Sequence, residues 1–223
     1  CCSHQFDFRK RNASQCRKIE SQNHRTSPEL IKMEILDNFL IDFLKDIPKT
    51  DLINLFGLVR RKKLKKNEIF IDEGTFYNKF FYVNKGLVRG FYSNADGEEK
   101  TIFFRWEKEF GADPESYFNH KPSKLTWCAM EETEIFEINF QKFEELSKRN
   151  VGLLKLRIMA SKRLLNRMYE RLESFILYSP EERFQHLLET HPDLCERIPD
   201  KYLASFLGIT PVSLSRIKKR LEN

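Results

Sequence analysis

A run of hydrogen-bonding and cationic side chains lies near the C-terminus. It comprises Thr210, Val212, Ser213, Ser215, Arg216, Lys218, Lys219 and Arg220. Groups of this kind read DNA. An arginine such as Arg216 meets both acceptors of a guanine, Thr210 and Ser213 can donate to a base or a phosphate, and Val212 can touch a thymine methyl. Lys218, Lys219 and Arg220 suit phosphate oxygens. Spacing decides which of them act together. On a helix, Val212, Ser213, Arg216 and Lys219 share one side, while Leu214, Ile217 and Leu221 share the other.

Such a face needs a scaffold, and the flanking residues supply one. Ala204 stands four positions before Gly208 and Leu214 six after it. Two helices that cross steeply need a small residue at closest approach, a glycine in the turn and an apolar anchor on the second helix. Thr210-Pro211 provide an N-cap and a first-turn proline for that helix. These are the constraints of a helix-turn-helix, whose second helix lies in the major groove. A plain helical hairpin with a solvated basic face would carry the same charges.

The charge distribution agrees. The 223 residues carry 39 Lys+Arg and 33 Asp+Glu, a net +6. Residues 1–32 and 201–223 are each +4, leaving −2 for 33–200. A basic end on a slightly acidic body points toward nucleic acid. Charged residues at 32% and 20 Phe exclude a low-complexity chain. No apolar run approaches a membrane span, so no membrane partner is expected. Five scattered cysteines do not form a disulfide framework, and a reducing cytoplasm is the expected compartment.

Upstream elements follow from periodicity. Residues 1–32 lack a hydrophobic period and are read as a disordered extension, with Met33 opening the folded part. Leu36, Phe39, Leu40, Phe43 and Leu44 recur at helical spacing. From about Arg60 to Ile138 short strands follow, at 68–71, 79–83, 87–92, 100–104, 124–129 and 133–138. Asp96-Gly97 between aromatic and β-branched runs marks a hairpin. Strands at this spacing predict an antiparallel sandwich or barrel.

A long helix is then expected over 140–178, with a break near Asn150-Val151-Gly152. Positions 151, 154, 158, 161, 165, 168, 172 and 175 keep a heptad in which only Ser161 is polar. Leu154, Ile158, Leu165, Met168 and Leu172 are the candidate dimer seam. Leu153, Leu156, Met159 and Leu164 form a second face, suited to packing on the chain's own barrel. Ser179-Pro180 opens another helix, which His191-Pro192 ends.

In this order of parts the chain resembles the Crp/Fnr superfamily of bacterial transcription regulators, over about 33–222. The likeness rests on a β-roll with Glu73-Gly74 and Lys85-Gly86, the Asp96-Gly97 hairpin, the long helix, and the stretch from Leu207-Gly208-Ile209-Thr210-Pro211 to Arg216-Ile217. It implies an α+β fold with an N-terminal antiparallel β-roll (jelly roll) sensor over 33–148. A dimerisation helix over 149–178 and a helix-turn-helix over 179–223 complete it. It also implies a homodimer that binds double-stranded DNA, contacts RNA polymerase and responds to a small effector.

In members that bind cyclic nucleotides, a Gly-Glu pair and a later Arg-Ser or Arg-Thr pair hold the ligand. The matching stretch here begins Phe110-Gly111-Ala112-Asp113-Pro114, and the later pair falls at Ser123-Lys124 or Lys124-Leu125. Gly111, Ala112, Asp113, Ser123, Lys124, Leu125 and Thr126 are thus the candidate effector pocket. No arginine occurs between Trp106 and Lys148. Without a planar guanidinium fork, cyclic AMP is not the expected ligand. Adjacent Cys1-Cys2 are poorly placed to ligate two irons, and His120 has no partner histidine at ligand spacing, so no metal or other cofactor is expected. No nucleophile–base pair stands out, and no catalytic residue is assigned. The competing reading is a ligand- or protein-binding β-roll whose C-terminal helices only pack.

Overall fold

The computed structural model describes residues 47–221. The chain divides into two units, residues 1–36 and 37–223, and every described element belongs to the second. The extension 1–32, the amphipathic segment 33–44 and Cys1, Cys2 and Cys16 lie outside the described residues.

Helix α1 (Lys49–Leu58) leads into strands β1 (Arg60–Leu64), β2 (Ile69–Ile71), β3 (Lys79–Lys85), β4 (Val88–Ser93), β5 (Glu99–Arg105) and β6 (Phe110–Ala112). A short helix α2 (Pro114–Phe118) separates these from β7 (Thr126–Ala129) and β8 (Thr133–Asn139). The strands form two four-stranded antiparallel sheets, ordered β1-β8-β3-β6 and β2-β7-β4-β5. The mixed α+β architecture with an antiparallel β-roll is the one expected.

Strand β3 explains why its sequence is apolar without alternation. Phe81 and Val83 point into the space between the sheets, with Ile71, Leu125, Trp127 and Ile135. Phe80 points outward, yet it is covered by the rings of Tyr117, Phe140 and Phe143. A strand buried on both faces loses the period of two. Strand β1 is the opposite case. Its residues Arg60–Leu64 pair only with β8 and are mostly exposed, so it reads as a charged stretch. Cations on an edge strand discourage pairing with another chain.

The β4–β5 hairpin turns at Gly97, whose φ of +76° suits glycine. Helix α3 (Phe140–Lys148) ends before Asn150, and α4 (Val151–Leu177) begins there. The Asn150 side chain accepts from Leu153 N at 3.0 Å, an N-cap that fixes the break. Helices α5 (Pro180–Thr190), α6 (Pro192–Arg197), α7 (Asp200–Leu207) and α8 (Pro211–Leu221) follow. Ser179 and Glu182 cap α5 reciprocally. Strand β6 and helices α2 and α6 had no periodic signal, being three to six residues long. A short element cannot show a period, and tertiary contacts decide it.

The terminal helices do not stand apart from the β-roll. Leu87, Phe104 and Met130 of the roll share one buried cluster with Phe184, Leu194, Ile198, Leu203, Leu207, Leu214 and Ile217.

Candidate nucleic-acid interface

Helix α7 ends in a Schellman turn. Ile209 N donates to Ala204 O at 3.0 Å, Gly208 N donates to Ser205 O at 3.1 Å, and Gly208 sits at φ +74°. Ala204, Leu203 and Leu214 are fully buried, which fixes the crossing of α7 on α8. Thr210 Oγ1 accepts from Ser213 N at 3.2 Å and caps α8. Leu214 and Ile217 therefore face inward, and Val212, Ser215, Arg216 and Lys219 are exposed on the outer side. Ser213 is half-buried, and its hydroxyl lies 3.0 Å from that of Thr210. Two neighbouring cations have partners within the chain. Lys218 pairs with Asp200 at 2.5 Å, and Arg220 pairs with Glu181. Exposed pairs of this kind are weak and exchange readily for phosphate.

Four arginines that sequence reasoning did not single out hold the terminal helices, three of them at α7 and one at α6. Arg89 is 2% exposed, between the rings of Phe91 and Tyr202. It donates to Glu99 at 2.6 Å and to Thr101 Oγ1 at 2.8 Å. Thr101 N in turn donates to Ser205 Oγ at 2.9 Å, joining β5 to α7. Arg171 of α4 donates to Phe206 O at 2.9 Å, and Arg183 donates to Leu207 O at 2.8 Å, so both satisfy carbonyls at the end of α7. Burial pushes the Arg171 guanidinium down to about 10, with Arg105 and Arg183 adding to the effect, so it is charged at neutral pH. Arg197 forks onto Glu107 and Glu131 at 2.9 and 2.6 Å. The signal available in the sequence was an arginine within an apolar strand, as in Val88-Arg89-Gly90-Phe91.

Burial pushes the Glu107 carboxyl up, but hydrogen bonds from Arg197 and from the Glu107 and Gly86 N–H groups outweigh it and hold it below its ordinary 4.5. A carboxyl depressed in the folded state contributes stability above its unfolded pKa, and that contribution is lost as pH falls through the folded value. Urea midpoints of the wild type should fall below about pH 4.5 more steeply than those of Arg197→Met. Equal slopes would show that the pair contributes nothing.

On α4, the two apolar faces separate as the heptad requires. Leu153, Leu156, Met159 and Leu164 are buried against the chain itself. Ile158, Leu165, Met168 and Leu172 are exposed, Leu165 and Leu172 each at 60%, and Leu154 is half-buried. Ser161, the one polar heptad position, meets the Tyr117 hydroxyl at 2.8 Å.

The candidate effector residues lie close together, and most are already engaged. Gly111 and Ala112 are in β6, and the Phe81 ring covers Gly111 so closely that a Cβ there would lie 2.0 Å from it. Asp113 is fully buried and accepts from Ser116 N at 2.8 Å and from Ser123 Oγ at 2.6 Å. Ser123 Oγ also accepts from Leu125 N at 2.9 Å. Thr126 is buried in β7, opposite Phe91. Lys124 points away to solvent and pairs with Glu115 at 2.8 Å. Among the described residues no cluster of three or more His, Cys, Asp or Glu can hold a metal, and no helix is long and apolar enough to cross a membrane.

A β-roll joined by a long amphipathic helix to a helix-turn-helix defines a class, and the comparisons with known proteins agree with it. Residues 61–150 match the cyclic nucleotide-binding domain family. The chain is 32% identical over 102 residues to the transcriptional activator protein FnrA of Stutzerimonas stutzeri, covering 44% of this chain and 39% of that protein. It therefore spans about two fifths of the length of this curated relative. The fold is shared with FixK2 from Bradyrhizobium japonicum, at a TM-score of 0.64 and 15% identity, over 74% of this chain and 84% of that one. It is shared also with the c-di-GMP-responsive global regulator CLP of Xanthomonas campestris, at a TM-score of 0.58 and 17% identity, over 78% and 92%.

Proposed function

We propose that the protein is a DNA-binding transcription regulator that works as a homodimer and reads a two-fold-related site with α8. The observation that carries this reading is the division of α8. Leu214 and Ile217 are buried on the inner side, while Val212, Ser215, Arg216 and Lys219 face outward beside the capping Thr210. The exposed apolar row on α4 supports the dimer, and two-fold symmetry would present two α8 helices to two half-sites. The likeness to FnrA, a transcriptional activator protein, supports the regulatory role. RNA polymerase is the partner through which such a role would act. The setting is the cytoplasm, and the protein is not an enzyme.

The test is a binding titration on duplex DNA over several salt concentrations. A dimer neutralising about 6–10 phosphates should lose roughly 10³–10⁵ in affinity between about 50 and 200 mM salt. Binding that ignores salt, or none at all, would favour the β-roll module whose terminal helices only pack.

Cyclic AMP should not bind. The residue at the matching position is Ala112; the nearest carboxylate, Asp113, is displaced by one and committed to Ser116 and Ser123, and Lys124 turns to solvent. Phe70, Phe81, Phe103 and Trp127 pack ring against ring between the sheets. Calorimetry with millimolar nucleotide should give no saturable heat. A micromolar isotherm would show that the roll opens around the ligand.

A further inference from the structure

Residues 201–223 carry a net +4, but residues 179–200, just upstream, carry two arginines against six carboxylates, a net −4. Residues 179–223 thus have no net charge, and overall charge alone does not draw them to DNA. Part of that negative charge sits directly on the cations of α8. Glu181, in the first turn of α5, pairs with Arg220. Asp200, in the first turn of α7, pairs with Lys218 at 2.5 Å.

The two pairs differ in position. Lys218 is half-buried, four residues after the inward Leu214, so its pair joins α7 to α8. Arg220 lies four residues after Arg216, on the same face and one turn further along, and its side chain is 60% exposed. Its partner is well anchored. Phe184 fixes α5 in the buried cluster, Ser179 and Glu182 cap the helix, and the helix dipole favours an anion in the first turn. The ion pair itself contributes little in water. The carboxylate nevertheless remains when Arg220 turns away, so a phosphate drawn to this cation meets a negative charge anchored beside it.

We propose that Glu181 is a specificity-determining residue: it withholds Arg220 from phosphates and so suppresses binding to DNA of arbitrary sequence. Phosphate contacts supply essentially all of non-specific binding, whereas a selected site is also held by base contacts such as those of Arg216. Base contacts fix where α8 lies and which phosphates it can reach. On arbitrary sequence the helix settles wherever its cations meet phosphates best, so a released Arg220 is used more fully there. Discrimination then rests on a repulsive element as well as on an attractive one. The proposal rests on the reading of the protein as a DNA-binding regulator with α8 as its reading helix.

The experiment titrates the full chain, as wild type and variants, on a site selected from random duplexes and on a scrambled duplex, over several salt concentrations. Glu181→Gln should raise affinity for the scrambled duplex roughly tenfold near about 100 mM salt and steepen its salt slope by about one unit or more. The selected site should gain less than about threefold, so the ratio of the two affinities falls. In the Arg220→Ala background Glu181→Gln should have no effect, because the cation it releases is gone. Glu182→Gln is the control. It removes a charge from the same turn, but that carboxylate accepts from Ser179 N at 2.7 Å, so no cation of α8 is released. Unchanged scrambled-duplex affinity for Glu181→Gln, or an equal gain on both duplexes, would overturn the proposal. An equal gain from Glu182→Gln, or from Glu181→Gln in the Arg220→Ala background, would assign the effect to net charge and overturn it too. If the wild type binds neither duplex, the regulator reading itself falls, and the proposal with it.

Discussion

Leu165→Asp should turn the protein from a dimer into a folded monomer that no longer binds its DNA site with dimer affinity. Leu165 is 60% exposed in the single chain and sits in the row Ile158, Leu165, Met168 and Leu172. In a two-fold seam both copies of the residue are covered by the partner, so one substitution buries two carboxylates. Burying an unpaired charge costs several kcal/mol, more than a seam of this kind can lose and remain associated. The single chain should keep its fold, because Leu164, on the buried side, is untouched. Light scattering with a thermal melt separates the two effects. Monomeric scattering by the unmutated chain would remove the basis of the prediction, and a dimeric Leu165→Asp would place the seam elsewhere.

Arg216→Ala should cost about 1–3 kcal/mol on the cognate site and relax preference at one base pair. Arg216 is exposed on α8, six residues after the Thr210 cap, while Leu214 and Ile217 turn inward. From there the guanidinium can reach the floor of the major groove, where guanine offers two acceptors. Lys219→Ala should instead weaken all sequences alike and lower the salt slope by about one unit. Neither change removes a buried contact, so both variants should melt with the wild type. Titrations on cognate and scrambled duplexes at several salt concentrations supply the comparison. Unchanged affinities and an unchanged ratio for Arg216→Ala would mean that another face of α8 reads the DNA.

The seam and the reading face differ in what limits them. The proposed seam would be a property of one helix, with each chain carrying half of it. The reading face depends on how α7 and α8 are held, and here the roll takes part. Thr101 N donates to Ser205, Phe91 and Tyr202 sandwich Arg89, and Arg171 and Arg183 hold the carbonyls that end α7. A change in the roll near β5 can thus reach α8 without a flexible linker, through groups that have one well-defined arrangement.

Local rules were enough to identify α8, its cap and its turn from the sequence. Thr210, Pro211, Gly208 and the Leu214–Ile217 spacing each act within a few residues, and capping, chirality and helical period are short-range effects. The same holds for the hairpin at Gly97 and for the two faces of α4, whose periods are long enough to count. Tertiary structure decided the rest. Strand β1 hid behind its charges because an edge strand has only one partner. Strand β3 hid its alternation because Phe80 is covered by residues from α2 and α3. Asp113 looked like a displaced ligand group, and only the fold brings Ser123 within 2.6 Å to occupy it. Arg89 stands inside an apolar strand. What it does depends on Tyr202, far along the chain, and spacing along a sequence carries no record of such a distant contact.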